Sequence, residues 1–340
     1  TVEGAILMPS YIKVDEQKNL FNDAKLGDVI TFNPKKAYPE NEQTLKYIGK
    51  DLYKTHILKE WKRYIVFMTR CHLHKGQIND LLDFFKATPQ RQAMLEHTTS
   101  FVEQTTRAFF YKDSTWDERI AIVKNHIEYM ENIFNDEAIA KLYVNGERIR
   151  LWEDVYEEQP VVMELWFHGG QRKEGCLSLV LSLGADELYQ IMFWLAPSPE
   201  DNELSLWIGA LQGTPNGSEI IKGLTKAFFG YRTKNLIFYG IRNVAAGLGC
   251  KHLYAVSNAG YYAMNHVRRD RKLKTSLDDF WQECEGQVCK DQRFFEMPIE
   301  EYRKSMEELK PSKRAQHRRR FAKMDEITES VTEVLNNYKK

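Results

Sequence analysis

The chain has 340 residues, 43% of them hydrophobic and 12% aromatic, enough apolar material for two cores or for one core with helical additions. Its 48 basic and 48 acidic residues cancel, which excludes a global field drawing it to nucleic acid; any anionic partner must be met by a local patch. Five scattered cysteines, odd in number, exclude a disulfide scaffold and suit a reducing compartment.

Cys284 and Cys289 have no matching second pair, so no metal site is expected. No run approaches the roughly 18 apolar residues of a spanning helix, and no charged, then apolar, leader opens the chain. A cytoplasmic protein, peripheral on the inner membrane at most, is the expectation, with an upstream piece left open because the first residue is Thr1.

Residues 1–43 carry no useful buried periodicity and are rich in Lys, Asp, Asn and Pro, which predicts a loosely packed segment. A helical region follows over 44–140. Leu45, Ile48, Leu52 and Tyr53 recur every three to four residues, as do Trp61, Ile65 and Met68, then Ile78, Leu81, Leu82 and Phe85. Thr88-Pro89 restarts a helix, and Thr115-Trp-Asp-Glu118 has the form of a capping box. Four to five helices around one apolar seam are expected. His72, His74 and His126 have no acid at metal spacing and read as surface or satisfied histidines.

The third region, 141–335, reads as sheet. Asn145-Gly146 predicts a type I′ turn inside a hairpin over 142–151. Val161 to Phe167 should pair with Cys176 to Leu183, and Glu187 to Ala196 with Leu204 to Leu211. Gln212-Gly213 opens a Gly-rich turn through Pro215 and Gly217, and Ser218 with Glu219 starts a long crossover helix over 218–248. That helix returns strand 252–257 in parallel beside strand 204–211. A helix N-terminus at a strand end has free N–H groups, a ready place for an anion, or an ordinary connection with nothing bound.

Antiparallel strands followed by a strand, Gly-turn, helix and strand resemble the core of GNAT-type N-acetyltransferases, in which a turn and helix N-terminus hold the pyrophosphate of acetyl-CoA. The glycine spacing Gly213, Gly217, Gly223 departs from that family's arrangement. Residues 7–42, including Leu26-Gly-Asp-Val-Ile-Thr-Phe-Asn-Pro-Lys-Lys36, resemble a fragment of a trigger-factor chaperone. A wider resemblance, over roughly 45–335, is to the VirK/YbjX family of bacterial proteins. It is carried by Arg119 to His126; Glu174-Gly-Cys-Leu-Ser-Leu179; Trp207-Ile-Gly-Ala-Leu-Gln-Gly213; Thr225-Lys226 with Gly230-Tyr-Arg-Thr-Lys234; Val256-Ser-Asn258; Asp278-Asp-Phe-Trp281; and Lys310-Pro-Ser-Lys-Arg-Ala315 with Arg318-Arg-Arg320. This resemblance implies a virulence-associated factor linked to envelope integrity or antimicrobial-peptide resistance.

The expected fold is α+β: N-terminal helices on a mixed, mainly antiparallel sheet with the GNAT-like unit, ending in basic helices. Two functions are carried forward. One is transfer of an acyl group from an acyl-CoA-like donor, with Gln212, Gly213, Gly217, Lys226, Arg232 and Lys234 holding the donor. Catalytic groups would come from Glu164, Glu174, Ser257, Asn258 and Tyr262, a carboxylate to take a proton and a tyrosine to return one. The other is a non-catalytic adaptor whose Arg314, Arg318, Arg319 and Arg320 dock on anionic lipid, a phosphate-bearing small molecule or a protein partner, with no nucleic acid. A second basic group, Arg268, Arg269, Arg271 and Lys272, follows the last strand.

Overall fold

The structure, a computed structural model, describes residues 30–34, 40–167, 169–215, 217–265 and 275–340. Most of the chaperone-like stretch, Asn216 of the Gly-rich turn and the cluster Arg268 to Lys272 lie outside the described residues.

The apolar seam forms α1 (Asn41–Leu52), α2 (Leu58–Leu73), α3 (Lys75–Lys86), α4 (Pro89–His97), the single turn α5 (Ser100–Glu103) and α6 (Trp116–Ile133). The expected four to five helices are therefore six among the described residues. Local signals set their ends. Thr88 Oγ1 accepts from the Arg91 N–H at 3.1 Å with Pro89 in the first turn, and Thr115 and Glu118 close a reciprocal capping box. A further turn, α7 (Asp136–Ile139), runs into a π-helical turn at Ala140–Val144.

That π turn corrects the expected hairpin at Asn145-Gly146. Asn145 keeps a negative φ of −94° and only Gly146 is left-handed, at 64°, so the pair ends a helix instead of reversing a strand. Asn-Gly serves either purpose, because both need one residue that tolerates positive φ. The real hairpin joins β1 (Ile149–Tyr156) to β2 (Gln159–Trp166) through Glu157 and Glu158, both left-handed at φ 47° and 63°. β3 (Leu177–Leu183), β4 (Asp186–Pro197) and β5 (Leu204–Gly213) then pair antiparallel in turn as expected.

Beyond β5 the single crossover helix is corrected to two, α8 (Ser218–Ala227) and α9 (Thr233–Gly247). The break is at Phe229 and Gly230, with φ of 57° and 76°. α9 leads to β6 (His252–Val256), which lies parallel to β5, and α10 (Leu277–Glu283), β7 (Gln287–Val288), β8 (Phe294–Met297) and α11 (Pro311–Tyr338) complete the fold. The sheet is mixed and mainly antiparallel, with eight strands in the order β1-β2-β3-β4-β5-β6-β8-β7. The fold is α+β.

Packing ties the helices to the sheet. α6 lies on β4, α9 on β3 and β4, and α11 on α9 and β1. Gly240 lets α9 approach closely, since a Cβ there would be 2.6 Å from Met163 Sδ. Met324, Ile327, Val331 and Leu335, three or four residues apart, are the buried stripe of α11. One apolar cluster runs without interruption from Leu45 to Leu335. Across β4, β5 and β6 the rings of Trp194, Trp207 and Tyr254 form a row, with centroids 6.2 and 4.2 Å apart.

Candidate functional site

β5 pairs with its two neighbours unequally. Opposite β4, Met192 faces Ala210 and Phe193 faces Ile208, so Gly209 is the extra residue of a β-bulge. Opposite β6 the ladder stops at Ile208 and Ala255, which leaves the end of β5 from Gly209 to Gly213 without a β6 partner. The two parallel strands part at the bulge.

The run Lys173 to Cys176 lies over this point. A Cβ on Gly209 would come within 1.8 Å of the Glu174 carbonyl oxygen, and one on Gly175 within 2.6 Å of the Phe193 backbone nitrogen, so both glycines permit backbone to touch backbone. Cys176 N–H donates to Phe193 O at 2.9 Å, Phe110 N–H to Lys173 O at 2.9 Å, and Gln104 Nε2 to Gly175 O at 2.6 Å.

Fixed in this way, the Glu174 side chain is buried, 5% exposed, and its Oε1 accepts from Tyr261 Oη at 2.8 Å and Gln212 Nε2 at 2.9 Å. Burial raises its pKa from 4.5 to about 7, against the opposing pull of the Tyr261 hydrogen bond, the Lys173 charge and the Gln212 hydrogen bond. The Tyr261 phenol is pushed far above its ordinary value by burial and by the Glu174 charge. Gln212 itself is exposed, so a nearly neutral-titrating carboxyl sits one hydrogen bond inside the surface where β5 and β6 diverge. Such a group can take or give a proton at neutral pH.

A polar row continues from Gln212 across the sheet. Arg150, Glu164, Val180, Gln190 and Gln212 are successive cross-strand partners from β1 to β5. Gln171 Nε2 donates to Gln190 Oε1 at 3.4 Å, while its own Oε1, though buried, has no hydrogen-bond partner among the described residues. Gln190 in turn hydrogen-bonds Glu187, and Arg148 joins Glu187 at 2.8 Å to Glu164 at 3.4 Å.

Of the residues expected from sequence, Glu174, Gln212 and Gly213 are at this site. Gly213 packs on the ring of Tyr189, whose phenol feels the charge of Arg232. Glu164 is ion-paired to Arg148 and Arg150, at 3.4 and 3.2 Å, and lies three strands from Gln212, roughly 14 Å away. Ser257 Oγ donates to Gln292 O at 2.7 Å and accepts from Gly260 N–H at 3.0 Å. Asn258 Oδ1 accepts from Leu277 N–H at 2.7 Å, and its N–H donates to Asp278 Oδ1 at 2.7 Å. Asn258 fastens the end of β6 to α10, with Trp281 Nε1 donating to Val256 O at 2.8 Å, while Ser257 ties it to the turn before β8. Tyr262 is buried, its ring edge-on to Phe109 and to Tyr261.

The anion corner is looser than expected. Gly217, not Ser218, is the N-cap of α8 and supplies no side-chain bond; Glu219 in the first turn pairs with Lys222. Lys226, eight residues on, is about 12 Å along the axis from Ser218. Arg232 is ion-paired to Glu283 and donates to Asn235 at 3.0 Å, and Lys234 lies 4.4 Å over the Phe280 ring, its pKa lowered by burial. In α11, Arg320 Nη2 donates to Phe229 O at 2.9 Å and closes the left-handed turn between α8 and α9. Arg314 donates to Leu309 O at 3.3 Å, while Arg318 and Arg319 are exposed with no ion pair among the described residues.

Sequence reasoning missed Tyr261, adjacent to the Tyr262 it chose, and the pair Gln171 and Gln190. It also passed over Glu200, His252 and Glu296, whose ligating atoms lie within 4.8 Å of one another. Both His252 nitrogens are engaged, Nδ1 with Glu296 and Nε2 with Asp201, each at 2.7 Å, and these bonds raise its pKa.

Each short motif thus has a place: the Glu174 run lies on the Gly209 bulge, Asn258 holds α10, and Gly230 meets α11. The family model described as "Protein of unknown function (DUF535)" matches residues 56–333. The chain belongs to the DUF535 family. The DUF535 match contains every residue of the Glu174 site. Residues 1–60 match a second model, "Probable trigger factor, FKBP-like domain", so that likeness reaches past α1, whose Leu45 and Ile48 are already part of the core. An uncharacterized protein of Haemophilus influenzae is 22% identical to this DUF535 chain over 269 residues, 77% of the chain and 87% of the relative. YbjX of Escherichia coli is 31% identical over 129 residues, 36% of the chain and 38% of the relative. No solved structure matches the chain. Among the described residues, no helix is long and apolar enough to cross a membrane.

Proposed function

We propose that this chain transfers an acyl group from an acyl-CoA-like thioester to an amine or hydroxyl acceptor, within the envelope-associated role that the VirK/YbjX resemblance implies. The observation that carries the reading is Glu174, titrating at about 7 and hydrogen-bonded to Tyr261 at the point where β5 leaves β6. Strand order supports it. An antiparallel arm, one parallel pair and a helical crossover between the members of that pair match the GNAT-like arrangement.

The ionised Glu174 takes the proton of the acceptor N–H or O–H as the heteroatom attacks the thioester carbonyl. The new C–N or C–O bond forms and the C–S bond breaks. The leaving thiolate takes a proton from Tyr261, and Tyr261 recovers one from Glu174 along their 2.8 Å hydrogen bond. Gln212, exposed and donating to the same oxygen, holds the carboxyl in place. Arg232, whose charge acts on Tyr189 beside Gly213, would meet the donor's phosphates on leaving Glu283; Lys226 lies about 12 Å along α8 from its N-terminus.

Calorimetry with coenzyme A and a short acyl-CoA tests this. Binding should survive Glu174→Gln and Lys226→Glu and weaken severalfold in Arg232→Glu, while thioester consumption is lost in Glu174→Gln. Absence of any binding to the intact chain would remove the reading. The adaptor reading is favoured by one observation, that Arg318 and Arg319 on α11 are exposed with no ion pair among the described residues, and predicts partner capture that Arg318→Glu with Arg319→Glu abolishes.

A further inference from the structure

Ten large apolar side chains are left exposed among the described residues, and six of them, Ile57, Leu58, Trp61, Ile65, Val66 and Leu73, lie on or next to α2. Leu58 is 70% exposed and Leu73 77%. At about 100° per residue, Trp61, Ile65 and Leu58 fall within roughly 60° of one another, opposite the buried Phe67 and Cys71. Leu73 and Val66 widen the strip on the Leu58 side, Lys62 falls between Leu58 and Leu73, and Lys59, Arg70 and Arg63 follow beyond Val66 toward Phe67. A helix with an exposed apolar strip, a tryptophan in it and cations along its border is built for an interface between water and lipid.

At the Val66 edge of the exposed apolar residues, round the helix from Trp61 and toward Phe67, is an open cavity of about 170 Å³, lined by Lys62, Arg63, Arg70 and Arg107 over Val66 and Phe67. Arg63 pairs with Glu60 at 2.6 Å, and Arg107 reaches Glu103 only at 3.7 Å, a carboxylate already held by Arg172 at 2.6 Å and by the Tyr53 hydroxyl at 2.8 Å. Lys62 and Arg70 have no carboxylate partner among the described residues. The cavity therefore carries uncompensated positive charge. Burial and the neighbouring Arg107 both push the Arg70 guanidinium pKa down, the response of a cation that lacks a counter-charge.

We infer that α2 is a membrane-docking face: Trp61, Leu58 and Ile65 enter the headgroup boundary of an anionic bilayer while the Lys62, Arg63, Arg70 and Arg107 cavity receives a lipid phosphate. The strip supplies apolar burial and the cations at its Val66 edge supply charge, and the occupant that offers acyl chains and phosphates together is a lipid surface. This surface is distinct from the arginines of α11, and it stands whether or not the chain transfers an acyl group.

The test is sedimentation of the full-length chain with mixed phosphatidylglycerol and phosphatidylcholine vesicles, against pure phosphatidylcholine. The chain should bind the mixed vesicles alone, and inorganic phosphate at matched ionic strength should not displace it. Leu58→Ser with Trp61→Ser, and separately Lys62→Glu with Arg70→Glu, should each weaken binding roughly tenfold or more with unchanged circular dichroism. Arg318→Glu with Arg319→Glu should bind as the parent does. Absence of vesicle binding, displacement by phosphate, or loss only in the α11 variant would overturn the inference.

Discussion

At the scale of single residues, two buried groups give the molecule opposite responses to pH. The Glu174 pKa is raised in the fold from 4.5 to about 7, so the folded state favours the protonated form, and stability falls as pH rises through that window. Glu174→Gln removes the titration. Denaturant unfolding should show the variant gaining on the parent between about pH 4 and about pH 8, which bracket that window. His126 runs the other way. Its ring accepts from Leu195 N–H at 3.0 Å through Nδ1, so Nε2 carries the proton toward Tyr143 Oη at 2.7 Å, and burial lowers its pKa from 6.5 to about 3. Stability tied to neutral His126 is present above about 6.5 and is lost as pH falls from there toward 3. His126→Leu should flatten that acid slope and cost about 1–3 kcal/mol near neutrality for each partner left unpaired, read from urea midpoints.

At this scale the sequence offers Glu174, in a short run with Gly175, only as a candidate carboxylate beside Glu164. It does not offer the partner. Tyr261 and Tyr262 are neighbours with different surroundings, one reaching Glu174 and the other packing on Phe109, and adjacent positions of the same residue type carry no mark of direction. Ser257 and Asn258 looked chemical because they are polar at a strand end. Their atoms are taken up by backbone groups at Gln292 and Leu277.

At the scale of elements, the β5 bulge is the device that sets the site. Gly209→Ala would place a methyl 1.8 Å from a backbone oxygen, with no flexible side chain to yield, and should cost about 1–3 kcal/mol or more. It should also shift the pKa of Glu174, which a titration followed by carboxyl infrared absorption can read. Helix caps, the seam of α1 to α6 and the pairing of β3 to β5 were readable because each signal is local or strictly periodic. The break between α8 and α9 was read through as helix, although Gly230 marks it. Its neighbour Phe229 is left-handed as well, held by the distant Arg320. The Glu157-Glu158 reversal carries no turn residue at all and is imposed by the register of β1 on β2.

At the scale of the whole molecule, the helices α1 to α7 and the sheet with α9 and α11 share one apolar cluster. Ile48 in α1 and Leu335 in α11 are both fully buried, at opposite ends of the chain. Ile48→Ala and Leu335→Ala should each lower stability by about 2–5 kcal/mol and move one common transition, seen alike by far- and near-ultraviolet circular dichroism. Separate transitions for the two variants would mean two cores. Placed in that shared frame, the loop bearing Glu174 and the loop bearing Tyr261 come from segments 87 residues apart and meet over β5.

The measurement that bears most directly on this account is the pH dependence of acyl-CoA thioester consumption by the intact chain, compared with Glu174→Gln. The rate should rise with an apparent pKa near 7 as Glu174 ionises, and the variant should lose about a hundredfold or more while still binding the donor. A parent that consumes no thioester, or a variant that turns over with the same rate and the same profile, would contradict it.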